Sequence, residues 1–315
     1  MENPKIIALY LPQFHCIPEN DAFWGKGFTD WETVKKAKPL FPGHRQPRVP
    51  MDNNYYDLSL KENVKWQASL AKKYGIYGFG VYHYWFNNEK NLLTKPAEIM
   101  RDNEDVDINY FLVWDNANWK RSWSNLPGNA WSPIADAGKS SSGQAVLIPY
   151  SLGTEEDWRI HYRSVKTHFA KEKYIKINGK PVFVIFNYSA EIDEMCDYWD
   201  RLARADGYAG IHFIFKNIEK GLRKKRLVPK SRCIFNYEPI HGGWSKPVGE
   251  KIIDRIRIKV LKAAPVARLT ILDYDTVWKK IISEAQGKYR SDEIYHGGFV
   301  NYDDTPRRKN GRNHN

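Results

Sequence analysis

Apolar runs of strand length alternate along this chain with segments whose apolar residues recur at helical spacing. The strand-like runs cover residues 6–11, 78–85, 108–114, 182–186, 211–215 and 233–237, and the helical patterns cover 60–74, 155–170, 192–205 and 250–262. A repeated strand–helix order predicts an α/β protein built on a parallel sheet. Asn178 and Gly179, between two β-rich pieces, predict a tight hairpin that leads into the fourth long strand.

The first predicted strand is followed by the sequence PQFH and not by the glycine-rich turn of a dinucleotide-binding fold. We therefore predict a (β/α)8-like (TIM) barrel as one domain over residues 1–304, with a basic polar tail at 305–315. In such barrels the residues that do chemistry follow the carboxyl ends of the strands. The residues at these positions are Gln13, His15, His83, Trp85, Asp115, Asn116, Asn187, Lys216 and Glu238.

The segment GVYHYWFN places four aromatic rings beside one imidazole. Flat rings with polar atoms suit a surface that stacks against a sugar and also forms hydrogen bonds, whereas a packed strand is the alternative. Strand alternation puts His83 and Trp85 on one face and Tyr82, Tyr84 and Phe86 on the other. We expect His83 and Trp85 to emerge at the mouth of the barrel and the other three to pack under the helices.

Glycosidic-bond chemistry uses two carboxyl groups, or one carboxyl and a suitable partner, beside the anomeric carbon. Glu238 is the strongest catalytic candidate, because it ends a predicted strand in FNYEP just before HGGW. Asp115, which ends the third strand in VWDNANW, is the natural second group. The alternatives are an ion pair for Glu238 and a helix-cap or turn role for Asp115.

Three histidines lie near predicted strand ends and are candidates for acid–base chemistry or for binding hydroxyl groups. They are His15, His83 and His241, and their alternative is a structural hydrogen bond. They do not have metal-ligand spacing, so no metal is expected, and no cofactor is indicated. Trp31, in GFTDWE, lies between two carboxylates that could bind hydroxyls while the indole stacks on a sugar.

Cysteine and charge content bound the cellular setting. The 3 cysteines are far apart and form no CxxC pair, which indicates a reduced cytoplasmic protein without a disulfide framework or zinc site. The N-terminal apolar stretch is too short for a signal sequence or a membrane span. The net charge is +12, and basic residues concentrate in 216–232 and in the stripe Lys251, Arg255, Lys259 and Lys262. These segments suit peripheral contact with an anionic membrane or, alternatively, a solvated surface.

Several long, ungapped motifs run along nearly the whole chain. They are KIIALYLPQFH, WGKGFTDWETVKKAKPLFPGHRQPRVP, AKKYGIYGFGVYHYWFN, YIKINGKPVFVIF, NYEP, YDTVWKKI and GGFVNYDDTPRR. In these motifs the chain resembles the WbsX-type glycosyltransferase-like proteins of bacterial polysaccharide gene clusters. That family is similar to the endo-mannosidase barrels of glycoside hydrolase family 99.

The resemblance implies a (β/α)8-like barrel that acts on glycans during lipopolysaccharide O-antigen or capsule assembly, with no metal obviously required. It also implies a cleft lined by residues that match the family's motifs. These are Gln13, His15, Trp31, His83, Trp85, Trp114, Asn116, Asn118, Trp119 and Glu238.

The sequence departs from the family pattern in two places. The third-strand motif usually reads W-A-N-E-N-W, but here Ala117 replaces the glutamate and an acid stands at Asp115 instead. The family also continues past D-N-T-P-R-R to a W-N-E-W-x-E-G strand, which resembles the one that supplies the catalytic glutamates of the related endo-mannosidases. A seventh strand is predicted at 298–302, and no apolar run follows it to supply an eighth. We therefore expect a barrel that is incomplete at its C-terminal strand and a chain with little or no activity as given.

Three functional hypotheses follow. The first is a glycosyltransferase of surface polysaccharide biosynthesis, cytoplasmic or peripheral to the inner membrane. The second is an endo-acting glycoside hydrolase with paired carboxylates, and the third is a non-catalytic carbohydrate-binding remnant of such an enzyme. The expected partners are an oligosaccharide or lipid-linked glycan and a nucleotide sugar, and nucleic acid is not expected.

Overall fold

The computed structural model describes residues 4–120, 146–217, 219–220, 225–226, 233–241, 273–286 and 294–307. Its centre is a sheet whose main path contains seven strands in the order β1-β2-β4-β8-β9-β12-β13. These strands are Ile6–Tyr10 (β1), Ile76–Asn87 (β2), Asn109–Trp114 (β4), Lys180–Ile185 (β8), His212–Lys216 (β9), Cys233–Phe235 (β12) and Ile294–Tyr295 (β13). All six neighbouring pairs are parallel, so the predicted α/β fold with a parallel sheet is confirmed.

Smaller strands and seven helices surround this sheet in the described parts of the chain. The short strands are Lys90–Leu92 (β3), Trp119–Lys120 (β5), Val146–Ile148 (β6), Lys176–Ile177 (β7), Glu219–Lys220 (β10) and Lys225–Arg226 (β11). The helices are Pro18–Trp24 (α1), Asp30–Lys35 (α2), Lys61–Lys73 (α3), Lys95–Asp102 (α4), Glu155–Phe169 (α5), Ala190–Ala205 (α6) and Tyr274–Gln286 (α7).

Local sequence signals account for several of these elements. The predicted hairpin is confirmed, because β7 and β8 are antiparallel and their turn residues Asn178 and Gly179 have φ values of 51° and 73°. Helix α5 begins with a capping box between Thr154 and Asp157. Helices α1 and α4 each carry a proline in their first turn, where its missing N–H costs nothing.

The sheet curls strongly toward the face of β2 that carries Tyr82. The Tyr82 hydroxyl of β2 lies 3.3 Å from the Tyr237 hydroxyl just beyond β12, although four strand spacings separate these strands. In a flat sheet they would be about 19 Å apart. Gly80 makes room on this side, because an added Cβ would lie only 3.0 Å from Leu9 and Phe111. The sheet therefore follows part of a barrel wall.

The sheet ends differ from the sequence prediction. The last strand is Ile294–Tyr295, so the predicted strand at 298–302 is wrong. Ile294 is the buried residue there and pairs with Ile234, whereas Val300 is 90% exposed and could not fill a core position. Among the described strands β13 pairs with β12 and β1 pairs with β2, which leaves the sheet open between β13 and β1.

Residues 301–307 connect the two ends of this open sheet. Asp303 accepts hydrogen bonds from His44 and Gln46 of the proline-rich N-terminal loop, and Arg307 reaches Gln13 just beyond β1. The predicted domain boundary at 304 therefore crosses a segment that contacts the core. The predicted helix at 250–262 and most of the basic segment 216–232 lie outside the described residues.

Among the helices that the structure describes, none is long and apolar enough to cross a membrane.

Candidate functional site

Strand β2 has two differently used faces, which we call the helix face and the inner face. The helix face carries His83 and Trp85, which contact His161 of α5. The inner face carries Tyr82 and Tyr84, which contact residues beyond the ends of β12 and β1. The predicted alternation is confirmed, but the predicted sides are reversed. Hydrophobicity could not decide between them, because both faces of a parallel sheet are covered.

The helix face forms a closed aromatic stack. The Nε2 atoms of His83 and His161 are 2.9 Å apart, and the ring of Trp85 lies parallel to that of His161 at 4.4 Å. The Trp114 indole N–H donates to the Trp85 carbonyl oxygen at 2.9 Å. Burial lowers the pKa of His83 to about 3 and that of His161 well below its usual range, so both imidazoles are neutral. The expectation that His83 and Trp85 emerge at the mouth of the barrel is therefore wrong. Trp114, expected to line the cleft, is buried with them.

The inner face ends in a carboxylate and an ammonium group. Asp115 follows β4, and burial raises its pKa to about 6 although Lys216 acts in the opposite direction. The Lys216 Nζ atom, at the end of β9, lies 4.6 Å from the centre of the Phe186 ring and 6.0 Å from that of Tyr237. Burial lowers the pKa of Lys216, and the charge of Asp115 opposes that change. The pair offers a proton acceptor beside a partly desolvated cation.

A second polar network lies at the β1 end of the same edge. Gln13 donates to the Tyr84 hydroxyl at 2.9 Å and accepts from Arg307 at 2.8 Å. Arg307 also forms an ion pair with Asp30. Burial raises the pKa of Asp30, and the neighbouring guanidinium limits that increase.

A small, open pocket with a volume of about 30 Å³ adjoins this network. It combines three buried polar side chains with indole and phenyl rings, which is the mixture expected of a small-molecule site. Its lining residues are Gln13, Asn20, Trp24, Phe28, Asp30, Trp119, Lys120 and Leu147. Two of the predicted binding residues, Gln13 and Trp119, therefore face one cavity.

Three other predicted binding residues form hydrogen bonds that hold loops in place, and a fourth is buried. Asn116 exchanges hydrogen bonds with Asn187 and so ties the ends of β4 and β8 together. Asn118 accepts from the Tyr150 backbone N–H at 2.6 Å. The Trp31 indole donates to the Tyr56 carbonyl oxygen at 2.9 Å. His15 is buried, and burial lowers the pKa of its imidazole.

Glu238 and His241 meet a carboxylate that the sequence did not indicate. Their ligand atoms and one oxygen of Glu284, on α7, all lie within 4.8 Å of one another. No metal was expected here because the spacing of the histidines gave no signal, and Glu284 is brought in only by the packing of α7. Glu238 thus belongs to a three-residue cluster that could hold a cation.

Several important residues were missed in the sequence. Lys216 appeared among the strand-end positions but had no motif to distinguish it. Tyr82 and Tyr84 were assigned to the covered side. The spacing Gly78, Gly80, Tyr82 carried a usable signal, because small residues that precede large ones on one face fit a tapering barrel interior. Arg307 lies in the motif GGFVNYDDTPRR, but nothing in that motif indicates Gln13 and Asp30 as its partners.

A curled parallel β/α sheet with acid–base and aromatic groups at its carboxyl edge defines a barrel-type protein of the α/β class. The chain belongs to the family described as "Glycosyltransferase WbsX", whose model matches residues 6–313.

Two curated relatives, each called "Uncharacterized protein WxcX", come from two strains of Xanthomonas campestris pv. campestris. Each is 32% identical over 212 residues, which is 67% of this chain and 28% of the relative. The chain thus spans less than a third of the length of these relatives.

Solved structures with a similar chain path include a GH99 endo-alpha-mannosidase from Bacteroides thetaiotaomicron, at 12% identity and a TM-score of 0.40 over 81% of this chain and 66% of that one. A second structure of that protein has 13% identity and a TM-score of 0.39 over 81% and 68%. A glycoside hydrolase-like protein has 11% identity and a TM-score of 0.45 over 94% and 71%.

Proposed function

We propose that this chain carries the reaction site of a glycosyltransferase of bacterial surface polysaccharide biosynthesis. Membership of the WbsX family supports glycan processing. The observation that carries the chemistry is Asp115, a largely buried carboxyl at the sheet edge with a pKa of about 6. A group with this pKa is a carboxylate at neutral pH and a stronger base than an ordinary aspartate, as general base catalysis requires.

In the proposed step Asp115 takes the proton of an acceptor hydroxyl group. The oxygen of that hydroxyl group attacks the anomeric carbon of the donor sugar at the same time. The bond from that carbon to the leaving oxygen breaks, and the electron pair stays on the leaving group. Lys216 supports a leaving group that is anionic, such as the diphosphate of a nucleotide sugar, because a desolvated ammonium stabilises developing negative charge strongly. The phenol groups of Tyr82 and Tyr237 are placed to bind sugar hydroxyls.

The cavity beside Gln13 and Trp119 is the proposed binding site for the glycan. Indole faces stack on sugar rings, and the buried amide and carboxylate groups offer hydrogen bonds of fixed direction. The substrate in this proposal is an oligosaccharide or a lipid-linked glycan of O-antigen or capsule type. The basic segments 216–232 and 251–262 would then keep the protein at the anionic inner face of the membrane.

Hydrolysis is the second candidate, because a carboxyl with a pKa of about 6 also suits a general acid. Glu238 would then be the second carboxyl of the pair. The curl that brings Tyr82 to Tyr237 supports this pairing, since Glu238 directly follows Tyr237.

The test is a pH–rate profile of the full chain with nucleotide sugars and surface oligosaccharides. Transfer by a general base requires ionised Asp115, so the rate should rise as the pH increases through about 6. Hydrolysis by a general acid should instead fall over the same range. Asp115→Asn should lower kcat by about a hundred-fold or more in either case.

Asp107→Asn is the matched control, because this exposed aspartate lies at the opposite end of β4 and pairs with Lys72. It should leave the rate unchanged. Glycan binding without turnover by the unaltered chain would contradict the proposal and support a non-catalytic binding protein. The expectation of little or no activity stays a prediction, and the same assay tests it.

A further inference from the structure

The cluster of Glu238, His241 and Glu284 has the composition of a metal site. One imidazole nitrogen and two carboxylate oxygens all lie within 4.8 Å of one another. The His241 Nε2 atom is 3.8 Å from the nearer Glu284 oxygen, which is too long for a hydrogen bond. Two ligands of one first-row cation are about 3–4 Å apart, because each lies about 2.0–2.2 Å from the ion. The 3.8 Å between His241 and Glu284 therefore suits two ligands of one ion, and a small side-chain adjustment would bring the whole cluster to coordination distances.

The backbone presents two of these ligands on the same side. The His241 N–H donates to the Tyr237 carbonyl oxygen at 2.9 Å and closes a turn just after β12. Gly297 packs directly against this turn, since an added Cβ would lie 1.9 Å from the Asn236 oxygen and 3.2 Å from Glu238 Cγ. The position of Glu238 is thus fixed by two neighbouring strand ends.

The side chains of the cluster differ in exposure, as expected for a site that an ion can enter from solvent. The His241 side chain is only 6% exposed, whereas that of Glu284 is 41% exposed. An ion could enter from the solvent side and keep water or a substrate oxygen there as further ligands. Glu284 is carried by α7, whose buried residue Ile281 lies one turn earlier and anchors the helix.

We infer that Glu238, His241 and Glu284 form a binding site for a first-row divalent transition-metal cation. The nitrogen ligand favours Zn²⁺ over Mn²⁺, Mg²⁺ and Ca²⁺, which prefer oxygen ligands. Two carboxylates balance the charge of a divalent ion. Cation binding at these residues does not depend on the glycosyl chemistry proposed above.

Calorimetric titration of the full, chelator-treated chain with Zn²⁺ tests the site. We expect one equivalent to bind, with Mn²⁺ binding more weakly and Mg²⁺ more weakly still, in the order set by an imidazole ligand. Glu284→Gln should weaken Zn²⁺ binding by about ten-fold or more, and His241→Ala by at least as much. Asp275→Asn, an exposed carboxylate on the same helix, is the control and should bind normally.

Zn²⁺ also binds stray histidines and cysteines, so the variants decide the question. If Glu284→Gln binds Zn²⁺ as tightly as the unaltered chain, or if Mg²⁺ binds as tightly as Zn²⁺, the site is not the one inferred. Glu284 is a surface residue whose replacement keeps the fold, so this outcome stays readable even if His241→Ala unfolds. The absorption bands of bound Co²⁺ give a second readout, which should vanish in Glu284→Gln and persist in Asp275→Asn.

Discussion

The two faces of strand β2 hold buried polar side chains in opposite ways. On the helix face the polar atoms of His83 and His161 satisfy each other and are sealed between Trp85 and Trp114. On the inner face polar groups collect at the sheet edge, where Asp115 and Lys216 are held with shifted pKa values. A closed pair of neutral groups stabilises a core, whereas a carboxyl ionised against its environment costs stability. Such a cost marks a residue that is kept for function.

Acidification should have the largest effect on the free energy of unfolding, and it should act through the imidazoles of the helix side. His168, also on α5, lies 3.0 Å from the Tyr110 hydroxyl of β4. Burial lowers the pKa values of His83 and His168 to about 3 in the folded chain and that of His161 well below its usual value. Below pH 6.5 the unfolded chain binds protons that the folded chain excludes, so the free energy of unfolding falls as the pH falls. The loss by pH 5 is about 2 kcal/mol each for His83 and His168, or about 4 kcal/mol together, and His161 adds to it in the same direction.

Urea denaturation between pH 8 and pH 5 measures this loss. The double variant His83→Phe/His161→Phe should remain folded at pH 8, because replacing both partners by apolar rings of similar shape is nearly neutral. It should also lose at least about 2 kcal/mol less than the unaltered chain on acidification, the part that belongs to His83. His296→Phe, which replaces an exposed imidazole, is the control. Equal acid sensitivity of the double variant and the unaltered chain would contradict our account of the helix face.

Removal of one imidazole from the helix face should have the next largest effect. His161→Ala opens a cavity beside Trp85 and leaves His83 without its partner, so it should lower the free energy of unfolding by about 3 kcal/mol at pH 8. Tyr82→Phe, on the inner face, removes one half-buried hydroxyl contact and should cost about 1 kcal/mol or less. Similar losses in the two variants would remove the distinction between the faces.

Asp115→Asn should change stability less than His161→Ala and with the opposite sign. The pKa of this carboxyl is about 6 in the folded chain against an ordinary value of 3.8, so above pH 6 the folded chain holds a charge that it disfavours. Replacement by the neutral amide should raise the free energy of unfolding by about 1–2 kcal/mol at pH 8 and by almost nothing at pH 4. A loss of stability at pH 8 would show that Asp115 is a structural residue.

The sequence predicted much of the fold but less of the candidate site. The strand–helix order, the hairpin at Asn178 and the carboxyl-edge positions of Asp115 and Glu238 follow from local patterns that need few distant contacts. The site depends on partners that are remote in sequence. Gln13 meets Arg307 and His241 meets Glu284 only because the sheet curls and the C-terminal segments pack against it.

The sequence by itself determined that residues 79–86 alternate between two faces, because side chains in a strand have a period of two. Only the tertiary structure decided which face meets the helices. The two-residue period means that the side chains of β2 alternate, but it does not decide which set meets the helices. Both faces of a covered parallel sheet accept large aromatic residues. The packing of α5 placed His161 against His83 and Trp85, and that contact left Tyr82, Tyr84 and Asp115 to form the inner edge.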